Sequence, residues 1–130
     1  MSRPQCSAEE AVVRAICSPT HFDSVENRIS PSLFKGPNTS VSRLAVISLA
    51  EHWDLFRRHL QKPPRRLEFI GEIMVGRLQE IGKNYAASRT EITVEQAPED
   101  WNPAHAEIPQ KLSGGLANEI IRALVKHRAS

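Results

Sequence analysis

The chain has 130 residues, 40% of them apolar and 25% charged, a balance that fits one globular domain and excludes a disordered or low-complexity protein. Its 17 Lys and Arg against 15 Asp and Glu leave a formal net charge of +2, too little to argue for a polyanionic partner. No apolar run approaches the roughly 20 residues of a membrane helix. The polar stretch Met1 to Glu10 lacks a secretion signal's apolar core, so a cytoplasmic protein with no membrane partner is expected.

Ser7-Ala8-Glu9-Glu10 has the Ser-x-x-Glu pattern of a capping box, so residues 1–11 are expected as an N-terminal tail or a first helical turn. Val12 to Cys17 is short, β-branched and apolar, and reads as a strand. Residues 18–39, punctuated by Pro19, Pro31, Gly36 and Pro37, read as a long loop of the kind that often carries function. Val41 to Val46 alternates, and Ser48-Leu49-Ala50-Glu51 then opens a second capping box. A helix from Leu49 to Gln61 places Leu49, Trp53, Phe56 and Leu60 on one face, and Pro63-Pro64 forbids its continuation.

Leu67 to Leu78 matches both a helical stripe and a strand. Gly71 and Gly76, each costing a helix about 1 kcal/mol, favour the strand. Gly82-Lys83-Asn84 then makes a turn, and the cleanly alternating Glu91 to Glu95 pairs back as an antiparallel strand. Pro98 to Pro109 reads as loop. Ser113 caps a last helix through Leu116, Ile120 and Leu124, ending near His127-Arg128. These elements predict one α+β domain over residues 12–127, a small mixed or antiparallel sheet with two helices, and a tail at 128–130.

The charges are unevenly placed. Arg57, Arg58, Lys62, Arg65 and Arg66 crowd ten residues, whereas Glu91, Glu95, Glu99, Asp100 and Glu107 share a segment without Lys or Arg. Mutual repulsion predicts that the five cations are solvent-exposed. Arg57, Arg58, Arg65 and Arg66, together with Trp101 in its polar loop, are the candidate binding residues. Cys6 and Cys17 form no CxxC pattern, so reduced thiols are expected rather than a disulfide framework or zinc knuckle.

Two constellations suggest chemistry. His21-Phe22-Asp23 and His105-Ala106-Glu107 each place an imidazole and a carboxylate two residues apart, on one side of an extended chain. Were the loops to meet, His21, Asp23, His105 and Glu107 would offer nitrogen and oxygen ligands suited to Fe, Mn, Zn or Ni, in a pattern that resembles the facial triad of iron oxygenases. The second is Arg14, then Ser40-Val41-Ser42-Arg43, then Glu95 or Glu107. This order resembles ADP-ribosyl transfer enzymes, in which the Arg holds pyrophosphate and the Glu stabilises an oxocarbenium-like centre. No P-loop, dinucleotide-binding or Gly-x-Ser-x-Gly motif is present.

His21-Phe22-Asp23, Arg28-Ile29-Ser30-Pro31-Ser32-Leu33-Phe34, Ser40-Val41-Ser42-Arg43 and Asn102-Pro103-Ala104-His105-Ala106-Glu107 together resemble a family of small uncharacterised bacterial proteins. The resemblance spans about residues 12–125; it implies a bacterial, cytosolic origin and supplies no mechanism. The residues themselves lead to a small binding or accessory module that acts through its long polar loops on a protein partner or an anionic ligand. Nucleic acid is the weaker candidate partner, and oligomerisation is left open. The alternative is an enzyme whose pocket joins His21, Arg28, Ser42, Arg43 and His105. It would catalyse ADP-ribosyl or phosphate-ester transfer, or a metal-dependent oxygenase or hydrolase reaction, with a His as acid or base. No resident cofactor or metal is expected.

Overall fold

A computed structural model describes residues 3–128; Met1, Ser2, Ala129 and Ser130, expected within the terminal tails, lie outside the described residues. In chain order it forms β1 (Ala11–Ser18), β2 (Phe22–Asp23), β3 (Arg28–Ile29), a 3-10 turn (Pro31–Leu33), β4 (Thr39–Arg43), α1 (Leu49–His59) and β5 (Arg66–Met74). These are followed by α2 (Val75–Asn84), β6 (Glu95–Gln96), β7 (His105–Ile108), α3 (Gly114–Ala123) and β8 (Val125–Arg128).

Both faces of β1 are apolar. Val12 and Ile16 enter one core, and Val13 and Cys17 enter another. A strand buried on both faces belongs inside a sheet, and β1 is an inner strand of the antiparallel order β6-β7-β4-β1-β5-β8. The larger core lies between the sheet and α2, α3 and the 3-10 turn, with Leu78, Leu116, Ile120 and Leu33 against Val12, Ile16, Val41 and Ile108. The smaller core is roofed by α1, whose Leu55 and Phe56 cover Val13, Leu67 and Ile70. Helices on both faces of one sheet make a single α+β domain, in agreement with the sequence reading.

The capping box of α1 is formed: Ser48 Oγ accepts from the Glu51 N–H, and the Glu51 carboxylate accepts from the Ser48 N–H. Arg57, Arg58, Lys62, Arg65 and Arg66 are all exposed.

Other expectations are corrected. The strand read over Leu67–Leu78 ends at Met74, and α2 begins at Val75 and holds both Gly76 and Gly82. Tertiary packing of Val75 and Leu78 outweighs the glycine cost. Gly82-Lys83-Asn84 is therefore the last turn of α2 rather than a loop. Glu91–Val94 forms no ladder, and the expected pairing with β5 is absent because β5 lies between β1 and β8. Its alternation is nonetheless real, since Ile92 and Val94 are buried. Its backbone is satisfied instead by Gln110, whose Oε1 accepts from the Thr93 N–H, and by the Cys6 N–H, which donates to the Val94 carbonyl. The expected loop at Pro98–Pro109 contains β7, and the last helix stops at Ala123 so that Val125–Arg128 can pair with β5. Ser7–Glu10 makes a turn rather than a helical start, and this segment is tied to the domain through buried Cys6 and a Glu10–Arg43 ion pair.

Gly82 is where the 90–92 segment crosses α2. A Cβ there would lie 2.5 Å from the Thr90 carbonyl oxygen and 2.9 Å from Ile92. Gly82→Ala is expected to destabilise the fold by about 1–3 kcal/mol in urea denaturation, because backbone must move to admit the methyl. Gly114→Ala, where the nearest atom is 3.8 Å away, is the control and should lose no more than about 0.5 kcal/mol.

Candidate functional site

The ladder between β1 and β4 holds only two residue pairs, Val12–Arg43 and Val13–Ser42. Both strands run on, but β1 continues along β5, whereas β4 turns its remaining length to β7. A cavity of about 300 Å³ opens where they diverge, between Val13, Arg14 and Ala15 on one side and Ser40 and Ser42 on the other. Phe56 of α1 and Leu60, its C-cap, form an apolar wall, and Glu99, Trp101, Asn102 and His105 complete it.

At its inner edge lies a buried polar network. Ser42 is 2% exposed and His52 is 0% exposed. Ser42 Oγ and His52 Nε2 are 2.6 Å apart, and His52 Nδ1 is 2.9 Å from the Ser48 carbonyl oxygen. A carbonyl only accepts, so Nδ1 carries the proton in the neutral ring and Nε2 is left with its lone pair toward the hydroxyl. Asn102 is oriented by the same logic. Its Oδ1 accepts from the Ala104 N–H at 2.9 Å, so its Nδ2 is the end that donates to Ser42 Oγ, at 3.0 Å. The serine proton therefore points at His52. Burial pushes the His52 ring below its ordinary value of 6.5, with the Ser48 hydrogen bond and the Glu51 charge opposing it more weakly.

His105, opposite Ser42 in the β4–β7 register, is held at both nitrogens. Nδ1 lies 2.7 Å from the Ala97 carbonyl oxygen, and Nε2 lies 3.0 Å from Glu99 Oε1.

A second cavity, of about 150 Å³, shares Arg14, Ala15 and Leu60 with the first and adds Cys17, Thr20, His21 and Arg65. The Nε of Arg14 donates to the Leu33 carbonyl at 3.0 Å. Among the described residues, no carboxylate forms an ion pair with Arg14. Burial brings its pKa down to about 10, against a slight opposing effect of Cys17. Burial also lowers the His21 ring, and the Arg14 and Arg65 charges lower it further. Burial raises the Cys17 thiol despite those same arginines, which leaves it a poor nucleophile.

The structure divides the residues singled out from the sequence. Ser42 and His105 border the first cavity, with Arg14 and Ser40 beside them. His21 borders the second, and with Asp23 and Arg28 it also lines a third, of about 270 Å³. His21 and His105 thus belong to different cavities. Asp23 Oδ1 accepts from the N–H groups of Val25 and Glu26, as a turn tether does. Glu107 pairs with Arg3 at 3.1 Å. Among the described residues, no three His, Cys, Asp or Glu side chains are grouped to hold a metal, so His21, Asp23, His105 and Glu107 are not one ligand set. Arg43 follows Ser42 in the strand, faces the other way, and is bound to Glu10. Glu99, rather than Glu95 or Glu107, is the carboxylate at the first cavity.

Trp101 packs on His59 with ring centres 5.2 Å apart, and Arg57 lies over Trp53. Arg58, Arg65 and Arg66 are exposed, and Arg65 also lines the second cavity. His52 belongs to no sequence motif. Its one signal is position: three and four residues before Leu55 and Phe56, it interrupts the apolar face of α1. Comparison of the chain with protein-family models, curated proteins and solved structures finds no match.

The depressed His52 ring makes the fold acid-sensitive. An unfolded histidine titrates near 6.5, so below about that pH the unfolded chain takes up a proton that folded His52 resists. The stabilisation is present above pH ~6.5 and declines as pH falls beneath it. His21 acts in the same direction. Urea denaturation at pH 7.5 and 5.5 should show the wild type losing stability on acidification and His52→Gln losing less. Equal losses would contradict this origin.

Proposed function

We propose that the protein is a small module that binds a phosphate-bearing small ligand, whose anionic group sits in the cavity between Arg14, His21 and Arg65. The observation that carries this reading is the uncompensated Arg14 guanidinium. Arg14 is half-buried, and a charge partly withdrawn from water is costly unless it is paired; a bound anion would supply a countercharge. A guanidinium also presents a planar fork of donors that matches phosphate oxygens. Arg14 Nε is already held by Leu33, which fixes the direction of the fork and reduces the ordering cost of binding. His21 and Arg65 add donors on the same cavity, and the acidic residues of 91–107 are not among its lining.

The neighbouring cavity, which shares Arg14 and carries Phe56, Leu60 and Trp101, suits the less polar remainder of such a ligand. A cytoplasmic setting fits the two free buried thiols, as does the bacterial origin that the sequence resemblance implies. Among the described residues, no helix is long and apolar enough to cross a membrane.

Thermal unfolding with inorganic phosphate or pyrophosphate, at ionic strength held constant with chloride, tests the reading. A ligand at about 100 times its Kd stabilises the folded state by about 2.7 kcal/mol, so Tm should rise by several degrees. Arg14→Gln should lose that rise, whereas Arg57→Gln, outside the cavity, should keep it. No rise in the wild type, or an undiminished rise in Arg14→Gln, would overturn the proposal.

A further inference from the structure

The geometry points to a second capacity, in the neighbouring cavity: Ser42 is a nucleophile activated by His52, and the site can hydrolyse a small carboxylic ester with an apolar acyl group. The proposal stands on the Ser42–His52–Asn102 geometry and does not require the anion site.

Three features support it. First, a serine hydroxyl is a weak nucleophile until a base within about 2.6–3.2 Å can take its proton. His52 Nε2 is at 2.6 Å. Second, such a base must itself be oriented by a group on its other nitrogen. The Ser48 carbonyl does this, and it also accepts from the His52 backbone N–H at 2.9 Å. The base therefore sits on the first turn of α1, locked by the helix's own hydrogen bonding. Third, Ser42 lines a real cavity, with Phe56, Leu60 and Trp101 available to an acyl chain. Asn102 Nδ2, 3.0 Å from Oγ, is an amide donor beside the carbon that would be attacked. A hydrogen-bonded tie between β4 and α1 would need neither a cavity lined by Ser42 nor the second donor.

In the reaction, Ser42 Oγ bonds to the ester carbonyl carbon as its proton passes to His52 Nε2. The bond from that carbon to the alkoxide oxygen breaks, and Nε2 returns the proton to the departing alcohol. Water then gives a proton to Nε2 and adds to the acyl carbon. The Oγ–acyl bond breaks and Oγ recovers the proton. Ester and water become acid and alcohol, with no redox change. The lowered proton affinity of His52 keeps it in its base form into mildly acidic solution.

A small fluorophosphonate tests this, because an activated serine displaces its fluoride and keeps the phosphonyl group as a mass increment. One adduct per chain is expected, on the peptide containing Ser42 and absent from Ser42→Ala. Folded His52→Gln should label at least 100-fold more slowly, in line with the usual contribution of a positioned base. In the wild type, the labelling rate should plateau by pH 7. No adduct, an adduct elsewhere, an undiminished rate in His52→Gln, or a rate that climbs only above pH 8 would each overturn the proposal. Phosphate stabilisation and Ser42 labelling are read separately on the wild type, so failure of one site is distinguishable from failure of the other.

Discussion

The parting of β1 from β4 after two residue pairs is the constraint on which the rest of the structure depends. An antiparallel sheet gains from every ladder it closes, and an opened seam must be filled or covered. Here β1 is held on its far side by an eight-pair ladder to β5, while β4 is drawn toward β7. The seam is bordered by the side chains that the two strands present to it, and α1 and the 99–102 turn close over it. The first cavity is a consequence of this irregularity, and the second adjoins it, sharing Arg14, Ala15 and Leu60.

Polar groups at such a seam are tolerated only when paired. Among the described residues, no buried side-chain nitrogen or oxygen lacks a hydrogen-bond partner. Ser42, His52 and Asn102 achieve this through backbone acceptors and donors at Ser48 and Ala104. One network thereby joins β4, α1 and the segment before β7. Removing one member would strand its partners at about 1–3 kcal/mol each, so the network specifies a single arrangement of these elements as well as a reactive geometry. Arg14 differs in kind: its hydrogen bond to Leu33 is made, but among the described residues no carboxylate forms an ion pair with it.

Local chemistry was legible in the sequence wherever it governs the outcome. The Ser48-Glu51 capping box and the Leu49-Trp53-Phe56-Leu60 stripe led directly to α1, and the β-branched run led to β1. The errors arise where distant partners decide. β7 is four residues long between prolines and exists because β4 and β6 flank it. β8 interrupts what reads as a helix end because β5 offers a free edge. The alternation at 91–95 reports burial correctly, but a glutamine side chain stands where a strand was expected. At the site, Ser42 and His105 were visible as polar residues in patterned segments. Their grouping with His21 was not decidable, because it depends on which side of the seam each loop returns to. His52 was hidden because a helix brings it to Ser42 from ten residues away.

The central claim is that the Arg14 guanidinium is an anchor awaiting an anion rather than a tether for Leu33 alone. Nitrogen-edited NMR of the arginine side chains during a titration with inorganic phosphate tests it most directly. The account predicts saturable shifts of the Arg14 guanidinium signals, accompanied by the His21 ring, with Arg57 and Arg58 little affected. Shifts confined to the exposed arginines, with Arg14 and His21 unmoved, would contradict it.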